Sequence, residues 1–180
     1  MYKINISFRT LHFLRPAGTS RGVYTTRKSY YVTLSDTNQP DVVGIGECAT
    51  LPNLSCDAMT DEEYEQKLHS FCDDFCHTGV IDIDAMRPYP SMLFGLETAK
   101  AQLDAKGSIN FFNTAFGRGE EGITINGLVW MGTFDEMYQR LETKLKAGFR
   151  CVKLKIGAID FEKELELISH IRQAFTREQV

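Results

Sequence analysis

The chain has 180 residues, 43% hydrophobic and 11% aromatic, which is enough apolar side chain for a core and too much for a disordered segment. Its 20 basic and 24 acidic side chains leave a net charge of −4, so electrostatics gives no reason to expect nucleic acid or an anionic membrane as partner. No run approaches the roughly 18 apolar residues of a membrane-spanning helix, and Met1-Tyr2-Lys3-Ile4-Asn5-Ile6 alternates like a strand where a secretory signal would be an apolar block.

The first ~55 residues predict a β-meander. Tyr2, Ile4, Ile6 and Phe8 alternate with polar partners, as do Tyr30, Val32 and Leu34, and Val43 and Ile45 follow. Two Gly-, Pro- and Ser-punctuated stretches, residues 15–22 and 50–55, predict loops. Next, Thr60 and Glu63 form a capping box ahead of an apolar stripe of Tyr64, Leu68, Phe71, Cys72 and Phe75. Ser91 is expected to cap a second helix over residues 92–106, ended by Gly107. The five cysteines, Cys48, Cys56, Cys72, Cys76 and Cys151, make an odd count without a signal peptide, as expected of reduced thiols in a cytoplasm. Cys72, Cys76 and His77 lack a second metal-type pair downstream, so both cysteines are expected to be buried and structural.

After Gly122 the pattern changes. Residues 123–129 predict a strand. Thr133 and Glu136 form a second capping box, opening a helix with Met137, Leu141 and Leu145. A strand over 148–157 comes next, then a helix from about Phe161 with Leu165, Ile168, Ile171 and Phe175 on its stripe. Strand-helix-strand-helix with short connections is the pattern of parallel βαβ units. Two such units do not close an eight-unit barrel, which takes about 250 residues, so the expectation is a piece of a longer protein. Gly117-Arg118-Gly119 lacks a phosphate-loop context and predicts a surface turn.

The run Cys151-Val152-Lys153-Leu154-Lys155-Ile156 carries the chemistry. Alternation on a strand puts Lys153 and Lys155 on one face and Val152, Leu154 and Ile156 on the other. Neighbouring ammonium groups disfavour each other's charge, which moves a lysine toward use as a base if that face looks into a site. Otherwise it is a solvated polar face, or a pair of edge lysines that block aggregation.

Four local motifs, in order, resemble the enolase superfamily and its muconate-lactonizing-enzyme subgroup. They are Gly44-Ile45-Gly46-Glu47-Cys48-Ala49-Thr50-Leu51-Pro52, Pro90-Ser91-Met92-Leu93-Phe94-Gly95-Leu96-Glu97, Ile125-Asn126-Gly127-Leu128 and the lysine strand itself. The resemblance implies an α+β capping domain over residues 1–121, then the first two βα units of an enolase-type (β/α) barrel over 122–180, the barrel being incomplete in this chain. Residues 16–22 with Thr25-Thr26-Arg27-Lys28 are similar to the subgroup's succinylbenzoate-forming dehydratases of menaquinone biosynthesis.

That resemblance implies a small carboxylate substrate, a cyclohexadiene dicarboxylate bearing a succinyl chain. A lysine removes the proton α to a ring carboxylate, Mg2+ stabilises the enediolate, and loss of water leaves an aromatic ring. By position Lys155 would be the base, and Lys153 would hold positive potential beside it. Arg15, Thr19, Ser20 and Arg21 lie in a loop that in this family folds over the barrel mouth, where they either meet the substrate or face solvent. Leu51 and Leu54 would either shape an apolar wall or simply pack. Glu47 is expected to be structural, since the family's carboxylate ligands lie on later barrel strands, beyond residue 180, and the chain alone is therefore expected to be inactive. Two alternatives stand beside this reading: a dipeptide epimerase or N-acylamino acid racemase using the same lysines, and a non-catalytic interaction module.

Overall fold

The structure, a computed structural model, describes residues 1–19, 21–157 and 159–180. The chain divides into two compact units, Met1–Arg15 with Thr25–Glu121, and Pro16–Tyr24 with Gly122–Val180.

A three-stranded sheet in the order β1-β2-β3 begins the fold, from β1 (Tyr2–Thr19), β2 (Gly22–Asp36) and β3 (Gln39–Ala49). The stretch expected as a loop at residues 15–22 is mostly strand, because β1 runs on to Thr19 and β2 starts at Gly22. Pro16 is compatible with this because β1 is an edge strand, where proline is tolerated. β2 and β3 pair antiparallel, with Val32 opposite Gly46 and Leu34 opposite Gly44.

Helices α1 (Asp61–Thr78), α2 (Ile83–Met86) and α3 (Pro90–Asp104) cover one face of this sheet. The α1 capping box is present as the sequence predicts: Thr60 Oγ1 accepts from Glu63 N, and Thr60 N donates to Glu63 Oε2 at 3.1 Å. Gly79, at φ +71°, ends the helix in the left-handed region that favours glycine. Tyr64, Leu68, Cys72 and Phe75 form its buried stripe, and Cys76 is half-buried. Burial pushes the Cys72 thiol up and the Cys48 thiol up to about 12, so both behave as small apolar side chains.

Ser91 does not cap α3. The helix starts two residues earlier than expected, at Pro90, whose fixed φ suits the first helical position. The acceptor for its free amide comes instead from Asp57, buried and 34 residues away, which takes hydrogen bonds from Ser91 N at 2.8 Å and Ser91 Oγ at 2.6 Å.

The backbones of α3 and β3 touch because glycines line both. A Cβ on Gly46 would fall within the Gly95 carbonyl group, one on Gly44 would strike the Ala99 carbonyl, and one on Gly95 would strike Cys48 Sγ. Gln102 then satisfies the free edge of β3, its Oε1 accepting from Ile45 N at 2.8 Å. Two of the motifs read from the sequence are thus the two sides of one contact.

The second unit carries β4 (Gly127–Val129), α4 (Phe134–Lys146), β5 (Val152–Leu154) and α5 (Phe161–Ala174). β4 and β5 pair parallel, Gly127 with Val152, Leu128 with Lys153 and Val129 with Leu154. The strands are shorter than predicted, and Ile123, Ile125 and Ile156 are exposed beyond their ends. The α4 capping box of Thr133 and Glu136 is present. Val129, Met137, Leu141, Leu167 and Ile171 form the core. On α5 the buried face is Glu164, Leu167 and Ile171, while Leu165 and Ile168 are 43% and 42% exposed. Of the expected stripe Ile171 and Phe175 pack in this core, while Leu167 takes the place of Leu165 and Ile168. His170 on α5 joins α4 through Glu142, Nε2 to Oε1 at 2.7 Å, and its ring lies against Tyr138 at 4.7 Å between centroids. Among the described residues, no helix is long and apolar enough to cross a membrane.

Candidate active site

The parallel pair β4-β5 has two chemically distinct faces. Val129, Val152 and Leu154 turn toward α4 and α5 and pack in the core. Alternation sends Leu128 and Lys153 to the opposite face, and register aligns them side by side. Lys153 is exposed there. Lys155 follows just past the strand end, its amide donating to Val129 O at 3.0 Å. Its side chain is half-buried, with Nζ 5.7 Å from the centroid of the Trp130 ring, a distance at which an ammonium is attracted to an indole face. The lysine pair of the sequence is therefore free of the helix-packed core, at the C-terminal end of a parallel strand, where open and closed α/β sheets place their chemistry.

The loops after β4 and β5 are each tied by a charged residue of the following helix. Arg140 on α4 donates from Nη1 to Trp130 O and Met131 O, both at 3.0 Å. Glu164 on α5, 5% exposed, accepts at Oε1 from Gly157 N at 2.5 Å. The sequence reading missed both. A charged residue one or two turns into a helix that follows a short strand-ending loop is the available signal, and it is a faint one.

Also in the second unit, a cavity of about 520 Å3 is lined by Pro16, Gly18, Thr19 and Val23 on one side and by Met131, Gly132, Thr133, Gly157 and Ile159 of these two loops on the other. Of the expected substrate residues it receives Thr19, and neither lysine is in its lining. The Thr19 hydroxyl is engaged in the turn, donating to Gly22 O at 3.0 Å and accepting from Arg21 N at 3.2 Å. Arg21 is exposed in the same segment. Ser20 lies outside the described residues. Arg15, Leu51 and Leu54 belong to the first unit, where Arg15 is exposed on β1, Leu51 is half-buried and Leu54 is 41% exposed. The turn at Leu51 is closed by its own carbonyl, which accepts from Leu54 N and Ser55 N. Glu47 is exposed on β3, opposite Tyr31.

The described residues contain no group of three His, Cys, Asp or Glu side chains able to hold a metal ion. Mg2+ requires an oxygen-rich set built largely from carboxylates, and the lysine face offers ammonium groups, so the residues present do not fit that ion.

No protein-family model matches the chain. It is 34% identical over 211 residues to an o-succinylbenzoate synthase from Desulfotalea psychrophila, an alignment covering all of this chain and 56% of that protein. The crystal structure of MenC from the same organism superposes with a TM-score of 0.66 at 26% identity, over 98% of this chain and 55% of that one. The structure of an enolase family member from Agrobacterium tumefaciens with homology to dipeptide epimerases shares the fold at a TM-score of 0.68 and 18% identity, over 94% of this chain and 50% of its own. So does o-succinylbenzoate synthase from Thermosynechococcus elongatus with Mg in its active site, at 0.63 and 20%, over 98% and 49%. The chain has the fold of an enolase-type capping domain followed by part of the barrel, and its relatives include an o-succinylbenzoate synthase and enolase-family proteins. It resembles an o-succinylbenzoate synthase in sequence, and it spans about half the length of the relatives it matches.

Proposed function

We propose that these residues supply the base of an o-succinylbenzoate synthase-type dehydratase acting in menaquinone biosynthesis. The observation that carries the reading is the lysine pair on the sheet face opposite the helix-packed core, in a chain 34% identical to such an enzyme. Lys155 takes the proton from the carbon α to the ring carboxylate. The electron pair released forms the enediolate and then the ring double bond as the carbon–oxygen bond to the hydroxyl breaks. The departing hydroxide takes the proton back from the Lys155 ammonium and leaves as water, the ring becomes aromatic and Lys155 is neutral again. Lys153 keeps positive potential beside the developing anion. Residues 16–23, with Thr19, wall the approach and exclude water, and Arg21 and Arg15 are proposed to read carboxylates.

The present residues do not hold Mg2+, whose carboxylate ligands are proposed to lie beyond residue 180, and no step is assigned to the ion. The 180 residues alone are accordingly proposed to be inactive. Five free cysteines fit work in a reducing cytoplasm. Likeness in fold to an enolase family member with homology to dipeptide epimerases supports one alternative, epimerisation of a dipeptide by the same lysine.

The natural full-length protein, assayed with Mg2+ on the cyclohexadiene dicarboxylate and on L-Ala-L-Glu, separates the two. Dehydration with Lys155→Ala inactive is the expected result. Epimerisation without dehydration overturns it.

A further inference from the structure

The geometry points to Glu164 as a positioning residue for the loop that follows Lys155. This rests on the lysine chemistry proposed above. A carboxylate 5% exposed is costly unless it is hydrogen-bonded, and among the described residues its donor is a loop amide, Gly157 N at 2.5 Å. Gly157 stands at φ +99°, a conformation only glycine adopts easily, and in it the amide meets the Glu164 carboxylate. The carboxylate sits in the first turn of α5, where the helix dipole favours negative charge, and its helix is anchored in the core by Leu167 and Ile171. A rigid element thus holds the backbone two residues past Lys155, while the amide of Lys155 itself is held by Val129 O. Pinned on both sides, Lys155 has little freedom except in its own side chain. Catalysis is sensitive to displacement of a reacting group by an ångström, so releasing the loop is expected to act on turnover more than on binding.

The test uses the full-length protein as wild type, Glu164→Gln, Glu164→Leu and Glu164→Asp. Gln keeps an acceptor in place, Leu fills the volume without one, and Asp keeps the charge but retracts the acceptor by a methylene. Expected are kcat within about threefold of wild type for Gln, a fall of about tenfold or more for Leu with KM within about twofold, and an intermediate loss for Asp. Hydrogen exchange across residues 155–160 is expected to quicken in Leu and Asp and not in Gln. Should Leu fail to fold, the contrast of Asp with Gln decides. Unchanged exchange in Leu or Asp, or a Gln variant as slow as Leu, overturns the proposal. A wild type without dehydration overturns the proposed function instead, and the exchange measurement still judges Glu164.

Discussion

The separation of Lys153 from the helix-packed face is legible in the sequence because strand alternation is a local rule: once 152–154 is extended, the two faces follow. General-base catalysis by a positioned side chain contributes about 10^2- to 10^4-fold. Lys155→Ala in the full-length protein is therefore expected to lose at least about a hundredfold in kcat with its thermal unfolding unchanged, whereas Lys153→Ala, which removes charge and not the base, is expected to lose less. Steady-state kinetics beside a melting curve checks both. Glu164 and Arg140 were not legible, because their roles depend on which loop atoms a helix meets after it has packed. The glycines of β3 and α3 were visible as motifs, but their reason was not. Gly46→Ala forces a methyl group into the Gly95 carbonyl and is expected to cost about 1–3 kcal/mol, or more because backbone must move, as a lowered urea midpoint with unchanged slope.

The capping boxes ahead of α1 and α4 were read correctly because each is complete within four residues. The start of α3 was misread for the opposite reason: the partner of its first amides is Asp57, distant in sequence. On α5 periodicity places Ile171 and Phe175 correctly but does not rank Leu167 over Leu165 and Ile168, which the core of the second unit does. The pairing of α4 with α5 carries a pH dependence. His170, hydrogen-bonded to Glu142, holds its carboxyl below the ordinary value of 4.5, with a smaller contribution from Lys146. A carboxyl lowered in the folded state contributes stability that is present above its unfolded pKa and lost as pH falls through the folded one. The difference in melting temperature between wild type and Glu142→Gln is thus expected to shrink as the solution is acidified below about pH 4.5.

Each compact unit has its own core, and the two cores share no residue. The fold class was readable because the switch from meander and helices to βαβ units changes the period of the apolar pattern near Gly122. The grouping of residues 16–24 with the second unit has no such mark in the sequence, since nothing local distinguishes those strand residues from their neighbours. The metal chemistry gives a test on the entire chain. Ligands stabilise a fold in proportion to the logarithm of their concentration over Kd. Millimolar Mg2+ is expected to leave the melting temperature of the 180-residue chain within about 1 °C, and to raise that of the full-length protein.

The meeting of Gly44, Gly46 and Gly95 has a consequence for how this sequence can vary. Most packing contacts tolerate drift, because a larger side chain on one partner is matched by a smaller one on the other. Here the partner of each missing side chain is the facing main chain, or a thiol already confined by it, and the backbone has nothing smaller to offer. Selection for second-site revertants of Gly46→Ala is accordingly expected to return the glycine and no compensating change on α3, so that two segments 49 positions apart are inherited as one.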